Sequence, residues 1–561
     1  MWLESGHHRR PMPSESVADV VLLGGLIWTG VDSSPRAEAV ALRGGRVAFV
    51  GSVDEVRQRA GSGLRVVDIE GGMVLSGFQD AHVHPLHGGL TRLRCDLSDL
   101  RGADEYADAA RSYAVAHPDA QWILGAGWAM DAFPRGTPHR SLLDRSVSDR
   151  PAFLRNRDGH GAWVNSRALV MAGVTRDTPD PVDGRIERDA DGEPQGTLHE
   201  GAMNLVERVV PKTSPAELRE ALRIAQTYLH SLGITAWQDA IVEPADLDAY
   251  LAVVDSGSLT ARVVGALWWD RARGVDQVRD LVAMRQRAAD TGGRFRAGTV
   301  KIMQDGVIEN FTAAVLMPYL DAAGDPTANA GLSFVDPAVL KEGITELDRE
   351  GFQVHVHAIG ERAVREALDA FEAASVNGRR DARHHIAHIQ VVHPDDVPRF
   401  AQLGVVANGQ PYWACLDGQM RDLTIPFLGP ERASWQYPFA SLIRSGATLA
   451  FGSDWPVSTP DPLKEIQVAV TRAPDEDAEA ATFLPDQRLS LGMALEAFTQ
   501  GSAFVNHLDS ETGTIDVGKA GDIVVLDRNL FGVEPSDIGQ ARVLLTLIQG
   551  DPVYAAEGWN W

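Results

Sequence analysis

His82 and His84 stand at i, i+2 in the stretch SGFQDAHVHPLHGG. On a strand, residues at that spacing point to one face, so both imidazoles can aim at a single ligand. Imidazole nitrogen suits zinc and related divalent ions. An HxH pair alone describes a polar loop equally well, and the choice rests on partners elsewhere in the chain. Lys301 lies inside the apolar run of RFRAGTVKIMQDG. A lysine there is costly to bury unless paired or chemically altered, and its ordinary alternative is to snorkel to solvent. FQVHVHAIG repeats the HxH spacing at His355 and His357, RHHIAHIQVV offers His384, His385 and His388, and TLAFGSDWP carries Asp454.

These residues need elements that bring them together. Eight β-branched, apolar runs end near His84, Asp239, Trp269, Met303, His357, His388, Gln410 and Asp454. Helical patterns follow most of them, among them SPAELREALRIAQTYLHSLG, where Ser214 and Glu217 have capping-box spacing and Gly233 is a stop. Repeated strand–helix units predict an α/β fold, a distorted (β/α)8 TIM barrel with active residues at the C-terminal strand ends. His, His, Lys, His, His and Asp then fall on strands one, four, five, six and eight. The stretch 98–212 is too long for one connection and predicts an insertion over the barrel mouth. Both ends of the chain are β-rich, with Gly turns. Residues 19–75 plus 505–561 are expected to form a composite β-sandwich beside a barrel of 76–504, and residues 1–18 a flexible extension whose GHHRR is not a site.

Composition narrows the class. The 561 residues carry a net charge of −25, which argues against nucleic-acid binding, because phosphate contacts need a basic face. Cys95 and Cys415 are the two cysteines, too few for a disulfide framework, so a reducing, cytoplasmic setting is expected. No apolar run approaches the ~18 residues of a membrane span.

SGFQDAHVHP, VKIMQDGVIENFTAAVLMPY, HVHAIGERAV, HHIAHIQ and FGSDWP resemble motifs of the amidohydrolase superfamily, and most resemble its YtcJ-like branch, which includes N-substituted formamide deformylases. GAGWAMDAF, RDGHGAWVNSRAL, GEPQGTLHEGAM and the tail through GTIDVGKAGDIVVLD extend the resemblance over nearly all of the chain beyond residue 18. The resemblance implies one or two divalent ions, zinc foremost. His82 and His84 would ligate the first, His357 and His388 the second. Lys301 stands where many members carry a bridging N-carboxylated lysine, and Asp454 would bind metal and move protons. His87, His355, His384 and His385 do not match ligand positions. Ser76, Gln79, Glu361 and Ala387 depart from the usual pattern without removing a ligand.

The expected chemistry is attack of a metal-activated water on an amide carbonyl, with Asp454 as general base and acid. The substrate is then a small amide, linear or N-substituted; a deaminase or cyclic-amide hydrolase is the alternative, and an inactive scaffold a third reading. By resemblance His160 contacts substrate or stabilises the oxyanion, with a backbone-bonding loop histidine as the ordinary alternative. Glu200 is read either as functional or as a helix N-terminal residue. Trp128, Gln410 and Trp455 are candidate substrate contacts, in a set of mouth aromatics that includes Trp268, Trp269, Tyr412 and Trp413. No membrane or nucleic-acid partner is expected; a homodimer is an assembly common in the superfamily.

Overall fold

A computed structural model describes residues 20–31, 36–60, 64–289, 291–379, 381–475 and 480–559. The N-terminal extension expected over 1–18 lies outside them.

The centre is a nearly closed parallel barrel. Its strands are β1 (Phe78–Val83), β2 (Ile234–Val242), β3 (Arg262–Trp268), β4 (Phe295–Met303), β5 (Gln353–Ala358), β6 (His385–His388), β7 (Val406–Gly409) and β8 (Leu449–Phe451), each paired with its sequence neighbour. β1, β5, β6, β7 and β8 are buried throughout, as strands covered on both faces must be. The last seam, between β8 and β1, is closed by the residues that follow the strands. The Asp454 N–H donates to the His82 carbonyl at 2.7 Å, and the His84 N–H donates to the Trp455 carbonyl at 2.9 Å. Asp80 completes the closure. Its carboxylate accepts from the Ser453 N–H at 3.1 Å and the Ser453 hydroxyl at 2.5 Å.

Outside the barrel, helices such as Pro215–Ser231 lay an apolar stripe against the strands. That helix begins on the expected device: the Ser214 hydroxyl accepts from the Glu217 N–H, and Glu217 accepts from the Ser214 N–H. Inside, the layer below the strand ends is polar: Gln238, Thr299, Gln353, His355, His385 and Asn408 are all buried. Barrel interiors are ordinarily filled by branched apolar side chains, so each of these groups must find a partner within the barrel.

The insertion forms its own six-stranded sheet, in the order Gly184–Arg188, Pro194–Glu200, Gly161–Val164, Ala152–Asn156, Ile123–Trp128 and Cys95–Asp96. Tyr106, Trp128, Phe133, Leu154 and Trp163 fill a core of its own. The two ends of the chain meet in a third sheet of eight strands, in which Met73–Ser76 pairs antiparallel with Ile523–Leu526. Strand Val20–Trp28 bulges between Leu23 and Ile27 and changes partner there, from Arg65–Asp68 to Met73–Ser76.

Among the described residues, no helix is long and apolar enough to cross a membrane.

Candidate active site

Asp454 leaves the barrel just past β8 with φ 56°, and His388 ends β6 with φ 76°. Left-handed backbone at non-glycine residues costs of order 1–3 kcal/mol each and persists where the surroundings impose it. Here it turns both side chains toward β1. The Asp454 Oδ1 lies 2.9 Å from His84 Nε2 and 3.2 Å from His82 Nε2, and its Oδ2 lies 3.9 Å from His388 Nδ1. The His388 ring is 4.7 Å from that of His82 and 4.4 Å from that of His357, centre to centre. His82, His84 and Asp454 each offer one ligand atom, all within 4.8 Å of one another.

Several of these atoms have no hydrogen bond: His82 Nε2, His388 Nδ1 and Asp454 Oδ1 are buried and unpartnered. Such atoms cost about 1–3 kcal/mol each unless something satisfies them. A divalent cation at their focus does, so the residues present fit a metal. Protonation agrees. Burial, then the charge of Lys301, pulls His82 down to about 3, and burial holds His357 and His388 well below the usual imidazole range. Burial acts against ionisation of Asp454, but His82 and His84 outweigh it and keep the carboxylate charged. Neutral imidazoles with an ionised carboxylate are the forms a metal takes. Lys301, 3% exposed on β4, is drawn by burial to about 7, partly opposed by Asp454. Its neutral amine is therefore accessible near pH 7.

The insertion brings a second group to the edge of this cluster. The His160 ring lies 5.6 Å from that of His357. His160 Nδ1 is 3.0 Å from both carboxylate oxygens of Glu200, and Thr312 donates its hydroxyl to Glu200 at 2.8 Å. Burial disfavours a charge on His160, but Glu200 and then Asp158 override it and lift its pKa to about 9. His160 is thus a cation at neutral pH. Glu200 ends strand Pro194–Glu200 with φ 51°, so it is a strand-end residue, not the helix N-terminal one of the alternative reading.

Three residues read as substrate contacts are committed elsewhere. Trp128 is fully buried in the core of the insertion and donates its indole N–H to the Leu154 carbonyl. Gln410 accepts from the His388 N–H at 2.9 Å and donates to Asn408 at 3.1 Å. Trp455 packs over Gly88 and lies 5.5 Å from the Tyr228 ring. The aromatic that meets the cluster is Trp413, stacked on His388 at 5.5 Å with 14° between planes. His87 stacks on His84, while His384 accepts from the Val354 N–H and bonds Asp348, away from the cluster.

Sequence reasoning missed Asp80 and Asp305. Besides binding Ser453, Asp80 accepts from the His82 N–H at 2.9 Å. Asp305 accepts from the N–H groups of Ala314, Ile359 and Gly360 and lies 3.5 Å from His357 Nε2. Burial still lifts the Asp305 carboxyl to about 8. Both had a signal: Asp80 continues the i, i+2 row of His82 and His84, and Asp305 stands four beyond Lys301.

A parallel barrel with imidazoles and a carboxylate converging at its C-terminal mouth defines the hydrolase class built around a metal at that position. Residues 65–554 match the model of the amidohydrolase family, and the chain belongs to that family. It is 30% identical to a putative amidohydrolase, YtcJ, of Bacillus subtilis, over 95% of this chain and 98% of that one. It is 25% identical to an N-substituted formamide deformylase of Arthrobacter pascens, over 96% and 99%. An uncharacterised metal-dependent hydrolase from Pyrococcus furiosus superposes with a TM-score of 0.70 at 25% identity, covering 91% of this chain and 99% of that one.

Proposed function

We propose that this amidohydrolase-family protein hydrolyses the C–N bond of a linear or N-substituted amide, with one or two zinc ions held by His82, His84, His357, His388, Asp454 and an N-carboxylated Lys301. The observation that carries the reading is the convergence of His82, His84 and Asp454 at the barrel mouth, their ligand atoms within 4.8 Å of one another and His82 Nε2 and Asp454 Oδ1 without a hydrogen bond, with the unpartnered His388 Nδ1 3.9 Å from Asp454 Oδ2. Similarity to a protein named as a formamide deformylase supports the choice of substrate class.

When bound, a divalent ion brings the pKa of a water down to about 7 and polarises a carbonyl. The protein's own residues do the rest. Asp454 accepts the proton of the attacking water and returns it to the leaving nitrogen, which needs a carboxylate that is ionised at rest, as this one is. Protonated His160 faces the developing oxyanion as donor and charge, and Glu200 keeps it protonated. The amine of Lys301, partly neutral at pH 7, attacks carbon dioxide and loses a proton, giving an anionic carbamate in place of a buried cation. The face of Trp413 beside His388 offers an apolar wall for an N-substituent.

The test is a hydrolysis screen of the zinc-supplied protein over N-formyl, N-acyl and cyclic amides and aminated heterocycles. Release of formate or another carboxylate with an amine is expected from open-chain amides. Turnover confined to cyclic amides, or ammonia from a heterocycle, would assign the alternative chemistry. No turnover by a protein that carries metal would favour a scaffold.

A further inference from the structure

His355 is no ligand, yet it is fully buried directly behind one. Its Nε2 lies 2.9 Å from His82 Nδ1, and its Nδ1 lies 2.7 Å from Gln238 Oε1. The direction of these bonds can be read from the far end. Gln353 places its side-chain nitrogen 2.7 Å from the Arg383 carbonyl and 2.7 Å from the Val505 carbonyl. Backbone carbonyls only accept, so that atom is the NH2 group and its partner atom is the oxygen. The Gln353 oxygen then accepts from the Thr299 hydroxyl at 2.7 Å and from Gln238 Nε2 at 3.4 Å. Gln238 Nε2 also donates to Asn506 Oδ1 at 3.1 Å. The Gln238 oxygen is thereby turned to His355, and His355 Nδ1 must carry the proton it shares.

His355 Nε2 is then a bare acceptor. A second proton there would put a cation at a fully buried site whose bonds go to His82 and Gln238, with no carboxylate among them. So His82 Nδ1 donates to His355, and His82 Nε2 keeps its lone pair; it and Asp454 Oδ1, 3.2 Å away, are then two acceptors that a shared cation would satisfy together.

We infer that Gln353, Gln238 and His355 form a positioning relay, anchored on the Arg383 and Val505 carbonyls, that locks His82 in the one neutral tautomer able to ligate through Nε2. The relay rests on the metal reading proposed above, but its effect on the tautomer exists without metal. It also gives the polar layer of the barrel a purpose: apolar side chains would pack as well but could not orient a proton.

The first measurement is nitrogen-15 NMR of the metal-free, histidine-labelled full chain. Signals for His82 and His355 with the proton on Nδ1 are expected; a proton on His82 Nε2 overturns the relay. The second is Gln238→Leu, which removes the acceptor. Zinc affinity, read by chelator competition, should fall about 10–100-fold, with His82 divided between tautomers. A folded Gln238→Leu protein that binds zinc like the parent overturns the relay. If that variant does not fold, the spectrum of the parent still decides. A parent that binds no zinc but shows the expected tautomer would sink the metal reading and leave the relay standing.

Discussion

His357 and His160 have rings 5.6 Å apart, yet their pKa values are pushed in opposite directions. His357, on strand β5, is held well below the usual imidazole range by burial and by the charge of Lys301. His160, on the insertion, is held up at about 9 because a carboxylate grips its Nδ1. Both are buried, so burial alone does not separate them. The partner does. The strand-borne imidazoles face one another, a lysine, carbonyl groups, the single Asp454 carboxylate that His82 and His388 share and, at His357, an Asp305 carboxyl that burial lifts to about 8, and they remain neutral lone-pair donors. The insertion-borne one faces Glu200 and remains a proton donor. One residue type thus serves two chemistries side by side, and each can be removed without the other.

The largest break is expected on the strand side. Asp454→Asn keeps the shape of the side chain but cannot accept a proton and is a poorer ligand. Turnover should fall on the order of 10³-fold, as for loss of a general base, with a lower zinc content by metal analysis. Retained turnover in Asp454→Asn would remove it from the mechanism.

Next comes the pairing that sets His160 apart. In Glu200→Gln the carboxylate is gone and burial dominates, so the His160 pKa should drop from about 9 to below its ordinary value. The sign follows. A histidine with a raised folded-state pKa contributes its full share of stability below its unfolded pKa, about 6.5, and loses it as pH rises through the folded value. If catalysis needs the imidazolium, the alkaline limb of the parent's kcat/KM profile lies near 9, and Glu200→Gln shifts that limb to acid. At pH 8 the variant should lose about 10²-fold, with zinc content unchanged. An unmoved limb would show that His160 acts in neutral form or not at all.

The two sides also differ in how much of them the sequence revealed. The strand-borne residues were readable because a strand is a ruler. His82 and His84, or His355 and His357, share a face by spacing alone, and each strand end lies within three residues of where the apolar run stops. What spacing could not separate was His357 from His355. Both face the barrel interior, but His355 lies one layer deeper, against Gln238. The insertion offers no such ruler. Its sheet is recognisable as extra structure, yet the meeting of His160 with Glu200 depends on antiparallel register between Gly161–Val164 and Pro194–Glu200, which pairs Gly161 with His199. Register across a long connection leaves no local trace. Trp128 shows the converse error: an aromatic near the mouth in sequence is a core residue of the insertion in space.

The smallest effect should come from Thr312, which links the sides. Its hydroxyl donates to Glu200 at 2.8 Å, and it belongs to the loop after β4, near Asp305. Thr312→Val keeps the volume but removes the bond to a charged acceptor and, with it, the acceptor of the Val307 N–H at 3.1 Å. A bond of that kind contributes about 1.5–3 kcal/mol, part of which Glu200 recovers through His160. Glu200 should become slightly more basic, because one bond that stabilises its anion is lost, yet remain ionised at neutral pH. The His160 limb should then move far less than in Glu200→Gln, and turnover at pH 7 should fall only a few-fold, about 1 kcal/mol of barrier. A Thr312→Val profile displaced as far as that of Glu200→Gln would mean that the hydroxyl, not the carboxylate, sets the charge of His160, and the contrast between the two histidines would have a different cause.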